Sequence, residues 1–261
     1  MKYRKIAIIA NNTQIAQERL VQINKKYNFI ELDAHNLPAS DIDLIIALGG
    51  DGFMLHCLHN YIHLNIPIYG INCGTVGFLL NHFVLDGLIE RLAKAIETIT
   101  HPLEMKANLI NGTSESYCAI NEVSLFRKTN QAIRIKISVN DEIRLPELVC
   151  DGVLLATPAG SSAYNASVSG PILPIGSNIL ALTPISPFRP KRWGGALLPH
   201  TAVVTFTILE PELRPVNAVA DFLEVSDVES VVVKERRDIL IRLLFDKNHS
   251  LEERILKEQF A

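Results

Sequence analysis

Apolar residues follow two different patterns along this 261-residue chain, and the change falls near Thr100. Before it, short continuous apolar runs alternate with stretches of helical spacing. Ile6 to Ala10, Leu44 to Leu48 and Ile66 to Ile71 lack the polar alternation of a half-solvated strand, and read as strands covered on both faces. Phe29-Ile30-Glu31-Leu32 predicts a further short strand. Between them, Gln14 to Lys26 places Ala16, Leu20 and Ile23 on one side of a helix; Phe53 to Ile62 and Leu85 to Ile99 also read as helices. Strands alternating with helices predict an α/β domain over residues 1–100, with a parallel sheet wrapped on both faces.

After Thr100 the helical spacing gives way to short strands and turns. Met105 to Ile110 runs into Asn111-Gly112, and Ile133 to Val139 runs into Asn140-Asp141. Tyr117 to Phe126, Val153 to Thr157, Val203 to Leu209 and Ser230 to Phe245 continue the theme, the last split near Glu235-Arg236-Arg237-Asp238. This predicts an all-β, sandwich-like C-terminal domain over 101–247, in which Pro158 to Asn178 is a long insertion. The charged stretch 248–261 has helical spacing and is expected to pack back on the first domain.

Composition narrows the class. With 48% hydrophobic and 20% charged residues, the chain is neither disordered nor of low complexity. A net charge of −3 lacks the basic excess of a nucleic-acid binder. No apolar run reaches the eighteen residues of a spanning helix. The apolar run after Met1-Lys2-Tyr3-Arg4-Lys5 is too short for the core of a secretory signal. Cys57, Cys73, Cys118 and Cys150 stand far apart, with neither a disulfide framework nor zinc spacing. The expectation is a cytoplasmic protein that engages neither nucleic acid nor membrane.

Four stretches carry candidate chemistry. Gly49-Gly50-Asp51-Gly52 lies between a buried strand and a helix. The carboxyl edge of a parallel sheet is where open α/β folds bind ligands, and the unpaired N–H groups of a helix start suit phosphate oxygens. A carboxylate beside phosphates repels them, so Asp51 needs its own task, such as holding Mg²⁺ or accepting a proton; a tight turn with a capping Asp is the plainer reading. Asn72-Cys73-Gly74-Thr75-Val76-Gly77-Phe78 repeats the logic after the next strand, or is simply another turn. Asn121-Glu122 puts an amide and a carboxylate inside an apolar stretch, where burying either unpaired is costly, so either one side faces solvent or the pair reads hydroxyl and amine groups of a ligand. Asp151-Gly152, followed by Thr157-Pro158-Ala159-Gly160-Ser161-Ser162-Ala163-Tyr164, offers backbone and hydroxyl donors without bulk, with Tyr164 able to stack on a base or cover the pocket, or is a plain Pro-Gly turn with a Ser cap.

In their order and spacing these four stretches resemble the NAD kinase family, as do Gly170-Pro171-Ile172-Leu173-Pro174 and Leu182-Thr183-Pro184-Ile185-Ser186-Pro187. The resemblance runs from Ile6 to at least Pro199. It implies a Rossmann-like N-terminal domain of the phosphofructokinase and diacylglycerol-kinase type, a β-rich NAD-binding domain, and a homodimer or homotetramer. It implies transfer of the γ-phosphoryl of ATP to the 2′-hydroxyl of the adenosine ribose of NAD, with Mg²⁺ or another divalent cation. Asp51 would then accept the hydroxyl proton beside Gly52, with Gly49, Gly50, Asn72, Gly74, Thr75, Gly77 and Phe78 in the two glycine loops and His56 near the ligand. Asn121 and Glu122 would hold the adenosine. Asp151 and Ala163 would lie toward the nicotinamide, Ser162, Tyr164 and Ser167 on the adenine side, and Thr157, Gly160, Ser161 and Asn165 in the same loop. A carboxylate with a pKa of roughly 4 is a weak base for a sugar hydroxyl, so proton transfer comes late.

The sequence departs from the family at several points. Ala159 and Ser162 stand where many members have threonine, and Val149 where some carry arginine. Asp221-Phe222-Leu223-Glu224 lacks the Gly and amide of the family's Asp-Gly-Gln. The basic run Arg189-Pro190-Lys191-Arg192-Trp193 reads as a solvated loop or as an anion or subunit contact. No Gly-x-x-x-x-Gly-Lys-Ser/Thr loop exists, so an ATP site would not be of that type. Two other readings stand: a kinase of the same wider fold acting on a sugar or lipid hydroxyl, and a non-catalytic nucleotide-binding regulator.

Overall fold

The computed structural model describes residues 2–32, 42–74 and 77–247. The chain divides into two units, residues 1–100 with 239–261, and residues 101–238.

In the first unit, β1 (Ile6–Ala10), α1 (Gln14–Lys26), β2 (Ile30–Glu31), β3 (Leu44–Gly49), α2 (Asp51–Tyr61), β4 (Ile68–Asn72), α3 (Leu88–Lys94) and β5 (Ile96–Thr100) follow in order. The sheet runs β2-β1-β3-β4, then the late strand Ile241–Phe245, then β5. All neighbours are parallel except β5, which is antiparallel to the late strand. Every residue of β3 is buried, because helices cover both faces. Leu44, Ile46 and Leu48 join Ala16, Leu20 and Ile23 of α1 and Leu88 and Leu92 of α3 in one core. In α2, Met54, Cys57, Leu58 and Tyr61 are the buried positions.

Two expectations are corrected here. The helix predicted over Leu85 to Ile99 ends at Lys94, and Ile96-Glu97-Thr98-Ile99-Thr100 is strand instead. Its β-branched residues pair along the late strand from Ile96↔Phe245 to Thr100↔Ile241. The stretch Ser230 to Phe245 is two strands in different sheets, and Ile241–Phe245 belongs to the α/β sheet, not to the region that the sequence reading ran to 247. The helix expected over 248–261 lies outside the described residues.

The second unit holds β6 (Leu103–Leu109), β7 (Ser114–Ala119), β8 (Glu122–Arg127), β9 (Ile133–Val139), β10 (Glu142–Cys150), β11 (Gly152–Ala156), α4 (Tyr164–Ser167), β12 (Ile179–Ile185), β13 (Ala196–Pro199), β14 (Val204–Leu209), β15 (Val216–Ala220), β16 (Leu223–Val225) and β17 (Val228–Glu235). Two antiparallel six-stranded sheets form, ordered β10-β9-β14-β17-β6-β7 and β13-β12-β11-β8-β15-β16. Alternation does the packing. Ile133, Ile135, Ile137, Val204 and Phe206 of one sheet share a core with Val123, Leu125, Val153, Leu155, Leu180 and Leu182 of the other. The predicted strand Tyr117 to Phe126 is in fact two, β7 and β8, and the chain changes sheet at Ile120-Asn121.

The second sheet is covered on its outer face too. Leu154, Ala156 and Ala181 pack there with Leu173, Tyr164 and Val168 of the Pro158–Asn178 insertion. Every residue of β11 is buried in consequence. Among the described residues no helix is long and apolar enough to cross a membrane.

Candidate active site

In the first unit the two glycine loops meet because their strands are neighbours in register. Gly49 ends β3 opposite Asn72 at the end of β4, and the Cys73 N–H donates to the Gly49 carbonyl at 2.8 Å. Asp51 opens α2, and its carboxylate accepts the backbone N–H of Phe78 at 2.7 Å and of Leu79 at 3.0 Å. The second loop therefore fixes the carboxylate of the first. Gly77 permits this approach, since a Cβ there would stand 3.0 Å from Asp51 Oδ1 and 2.8 Å from Leu80.

The remaining glycines differ in kind. A Cβ on Gly49 would collide with Phe53, whereas Gly50 and Gly52 have nothing within 4 Å of that position. The space over Gly50 and Gly52, the residues flanking Asp51 at the start of an eleven-residue helix, is open. His56 is exposed one helical turn after Gly52. Asn72 turns its side chain onto the Gly74 N–H at 2.8 Å. Arg19 of α1, not foreseen from the sequence, donates to the Asn72 carbonyl and stacks over Phe83. Thr75 lies outside the described residues.

In the second unit the sheet crossing sets up the other stretch. Val123 and Leu125 of β8 face the shared core, so Glu122, Ser124 and Phe126 face the opposite side, under the insertion. Glu122 is 9% exposed, and its Oε2 is buried with no hydrogen-bond partner. Burial, reinforced by the neighbouring Asp221 carboxylate, pushes the Glu122 carboxyl up to about 8. The Tyr164 ring lies 5.6 Å from that of Phe126, and burial together with Glu122 raises its phenol. Glu122 and Tyr164 thus frame one partly buried, polar spot.

Three of the small polar residues are engaged internally. Thr157, Ser161 and Asn165 are fully buried. Thr157 Oγ1 donates to the Ile120 carbonyl and accepts the Gly160 N–H. Ser161 Oγ donates to the Pro158 carbonyl and accepts the Leu173 N–H. Asn165 Nδ2 donates to the Ser161 and Pro171 carbonyls, while its Oδ1 accepts the Thr183 hydroxyl at 2.6 Å. These side chains, read from sequence as donors toward a ligand, cement the loop instead. Ser162, Ala163 and Tyr164 are only half-buried, and Ser167 is exposed. Asp151 is not brought to Glu122. It pairs with Arg127 at 2.8 Å, at the far end of β11 from Thr157, a strand rise of roughly 20 Å.

Asp221, in the sequence only the head of a stretch that departs from the family's Asp-Gly-Gln, has contacts that the sequence does not foretell. It caps the turn between β15 and β16, and its carboxylate accepts the N–H groups of Ile120, Asn121 and Glu122. The sequence signal was faint: an Asp at a hairpin tip, at a φ of +55° that Asp tolerates better than most residues.

Comparisons with known proteins identify related sequences and structures. Residues 6–104 match the family model of the ATP-NAD kinase N-terminal domain, and residues 120–192 match that of the C-terminal domain. The NAD kinase of Rickettsia bellii is 48% identical over 261 residues, and that of Cereibacter sphaeroides 51% over 263, each alignment covering all of both chains. Among solved structures, yeast NADH kinase complexed with NADH has a TM-score of 0.81 at 22% identity, covering 98% of this chain and 87% of its own. The NAD kinase of Archaeoglobus fulgidus in complex with ATP has a TM-score of 0.74 at 21% identity, covering 97% and 98%. The distant structures speak for the fold alone; the two domain models and the full-length relatives go further, and by them the chain belongs to the NAD kinase family.

Proposed function

We propose that the protein transfers the γ-phosphoryl group of ATP to the 2′-hydroxyl of the adenosine ribose of NAD, making NADP. The observation that carries this reading is the Asp51 carboxylate, pinned by two backbone N–H groups and flanked in sequence by two glycines with open space over them. Such fixed placement suits phosphoryl transfer, in which positioning and charge stabilisation matter more than covalent chemistry by the protein. Asp51 orients the 2′-hydroxyl and receives its proton late, after the bond to phosphorus has largely formed. The first N–H groups of α2 face phosphate oxygens. In the second unit Asn121 and Glu122 take the adenosine, and Tyr164 lies against its base.

Among the described residues no group of three or more His, Cys, Asp or Glu side chains could hold a metal ion. Asp51 would be the protein residue to hold a Mg²⁺ bound with the nucleotide phosphates. When bound, the cation neutralises charge on the phosphates. The same reading makes the protein a cytoplasmic homodimer or homotetramer, which light scattering of the purified chain would count.

The test is NADP formation from NAD and Mg·ATP, coupled to an NADP-specific dehydrogenase. Turnover is the expected result. NAD binding without product would favour a regulator, and phosphorylation of fructose 6-phosphate or diacylglycerol in its place would favour a kinase of the same wider fold.

A further inference from the structure

At Ile120-Asn121 the chain leaves one sheet of the sandwich and enters the other. The last pairing of β7 is Ala119↔Leu103, and that of β8 begins at Glu122↔Ala156 on one side and Val123↔Ala220 on the other. The corner between is therefore outside both ladders, with backbone groups that need other partners. The carbonyl side is met by Thr157: its hydroxyl donates to the Ile120 oxygen at 2.7 Å and its N–H to the Asn121 oxygen at 2.9 Å.

The N–H side is met by one side chain, about a hundred residues away. Asp221 Oδ2 accepts the Ile120 N–H at 2.6 Å, and Oδ1 accepts those of Asn121 at 2.9 Å and Glu122 at 3.2 Å. The Asp221 N–H returns a bond to the Glu122 carbonyl at 3.1 Å. Only a carboxylate has two oxygens with lone pairs enough for three donors; an amide offers one oxygen, and an alanine none. The residue is held at positive φ to do this.

We propose that Asp221 is a positioning residue for the acceptor nucleotide, setting the backbone from which Asn121 and Glu122 project. This rests on the reading of Asn121 and Glu122 as the adenosine contacts. Asp221 acts through those two residues, with its own carboxylate turned to their backbone. Its charge also helps keep the buried Glu122 carboxyl protonated, and thus able to donate as well as accept.

The experiment compares Asp221→Ala and Asp221→Asn with the unaltered chain, measuring KM for NAD, KM for ATP, kcat and thermal melting. For Asp221→Ala the NAD KM should rise about tenfold or more, while the ATP KM and kcat at saturating NAD hold within about threefold. Asp221→Asn, with its oxygen in the Oδ1 place, keeps the bonds to Asn121 and Glu122, loses that to Ile120, and should fall between. Equal loss in both KM values and kcat, an unchanged NAD KM, or failure of both variants to fold would each overturn the proposal. If the unaltered chain makes no NADP, the reaction itself is rejected; a normal NAD KM in a variant that still turns over rejects the positioning role alone.

Discussion

Gly160 lies so close to Asn121 that a Cβ built on it would stand 2.1 Å from the Asn121 carbonyl oxygen. That oxygen is already fixed by the Thr157 N–H, and Gly160 is itself held by Thr157 Oγ1. Neither backbone can yield without breaking one of these bonds. Gly160→Ala should therefore lower stability by about 1–3 kcal/mol, as overpacking does, and raise the KM for NAD in parallel. Urea unfolding and steady-state kinetics check it; a variant as stable as the parent would show that the corner is soft.

Gly52→Ala is the opposite case. Outside its chain neighbours and its own helix backbone nothing lies within 4 Å of the added methyl, and Gly52 sits in the first turn of a helix, where alanine is tolerated at least as well as glycine. The fold should gain or be unmoved, while NADP formation falls about tenfold or more because the methyl occupies space meant for substrate. A fully active Gly52→Ala protein would place the acceptor elsewhere.

Asp51→Asn keeps the shape and one acceptor oxygen for the Phe78 or Leu79 N–H, but turns a donor toward the other. The expected result is a kcat lowered by about a hundredfold or more with the KM for NAD nearly unchanged, the signature of an interaction made chiefly in the transition state. Equal loss in both parameters would make Asp51 a loop anchor and no more.

How legible these features were in the sequence depended on whether their cause was local. β1, β3 and β4 stood out as unbroken apolar runs because helices cover both their faces, and β9 because its residues alternate between core and solvent. The glycine loops were legible for the same reason, as interruptions at the ends of such runs. The contacts of Asp221 were not, because only the pairing Ala220↔Val123 brings it under Asn121. Thr157, Ser161 and Asn165 look like ligand donors in the sequence because residue type alone cannot tell a donor aimed at a ligand from one that closes a loop. Ile241–Phe245 suits either sheet by residue type, β-branched and aliphatic, and the choice is made by partners in β4 and β5 well over a hundred residues earlier.

Glu122 makes stability depend on pH with a sign opposite to that of most carboxylates. Burial first, and Asp221 second, lift its carboxyl from the ordinary 4.5 to about 8 in the folded chain. Between those values the folded state holds a proton that the unfolded state has released. The contribution is thus fully present below about pH 4.5 and is lost as pH rises through 8, at no more than about 1.4 kcal/mol per pH unit for one group. Tyr164, the other titratable neighbour, is raised from 10.0 and stays protonated throughout the window. Glu122→Gln removes the ionisation while keeping the size, so the stability difference between parent and variant should tilt against the parent as pH goes from 5 to 8. Because NAD would supply a partner for the buried Oε2, the tilt should weaken when NAD is present at saturation. Urea midpoints at four pH values, with and without NAD, decide it: parallel curves for the two proteins would mean that Glu122 is ionised in the folded chain, and that it meets the nucleotide as an acceptor only.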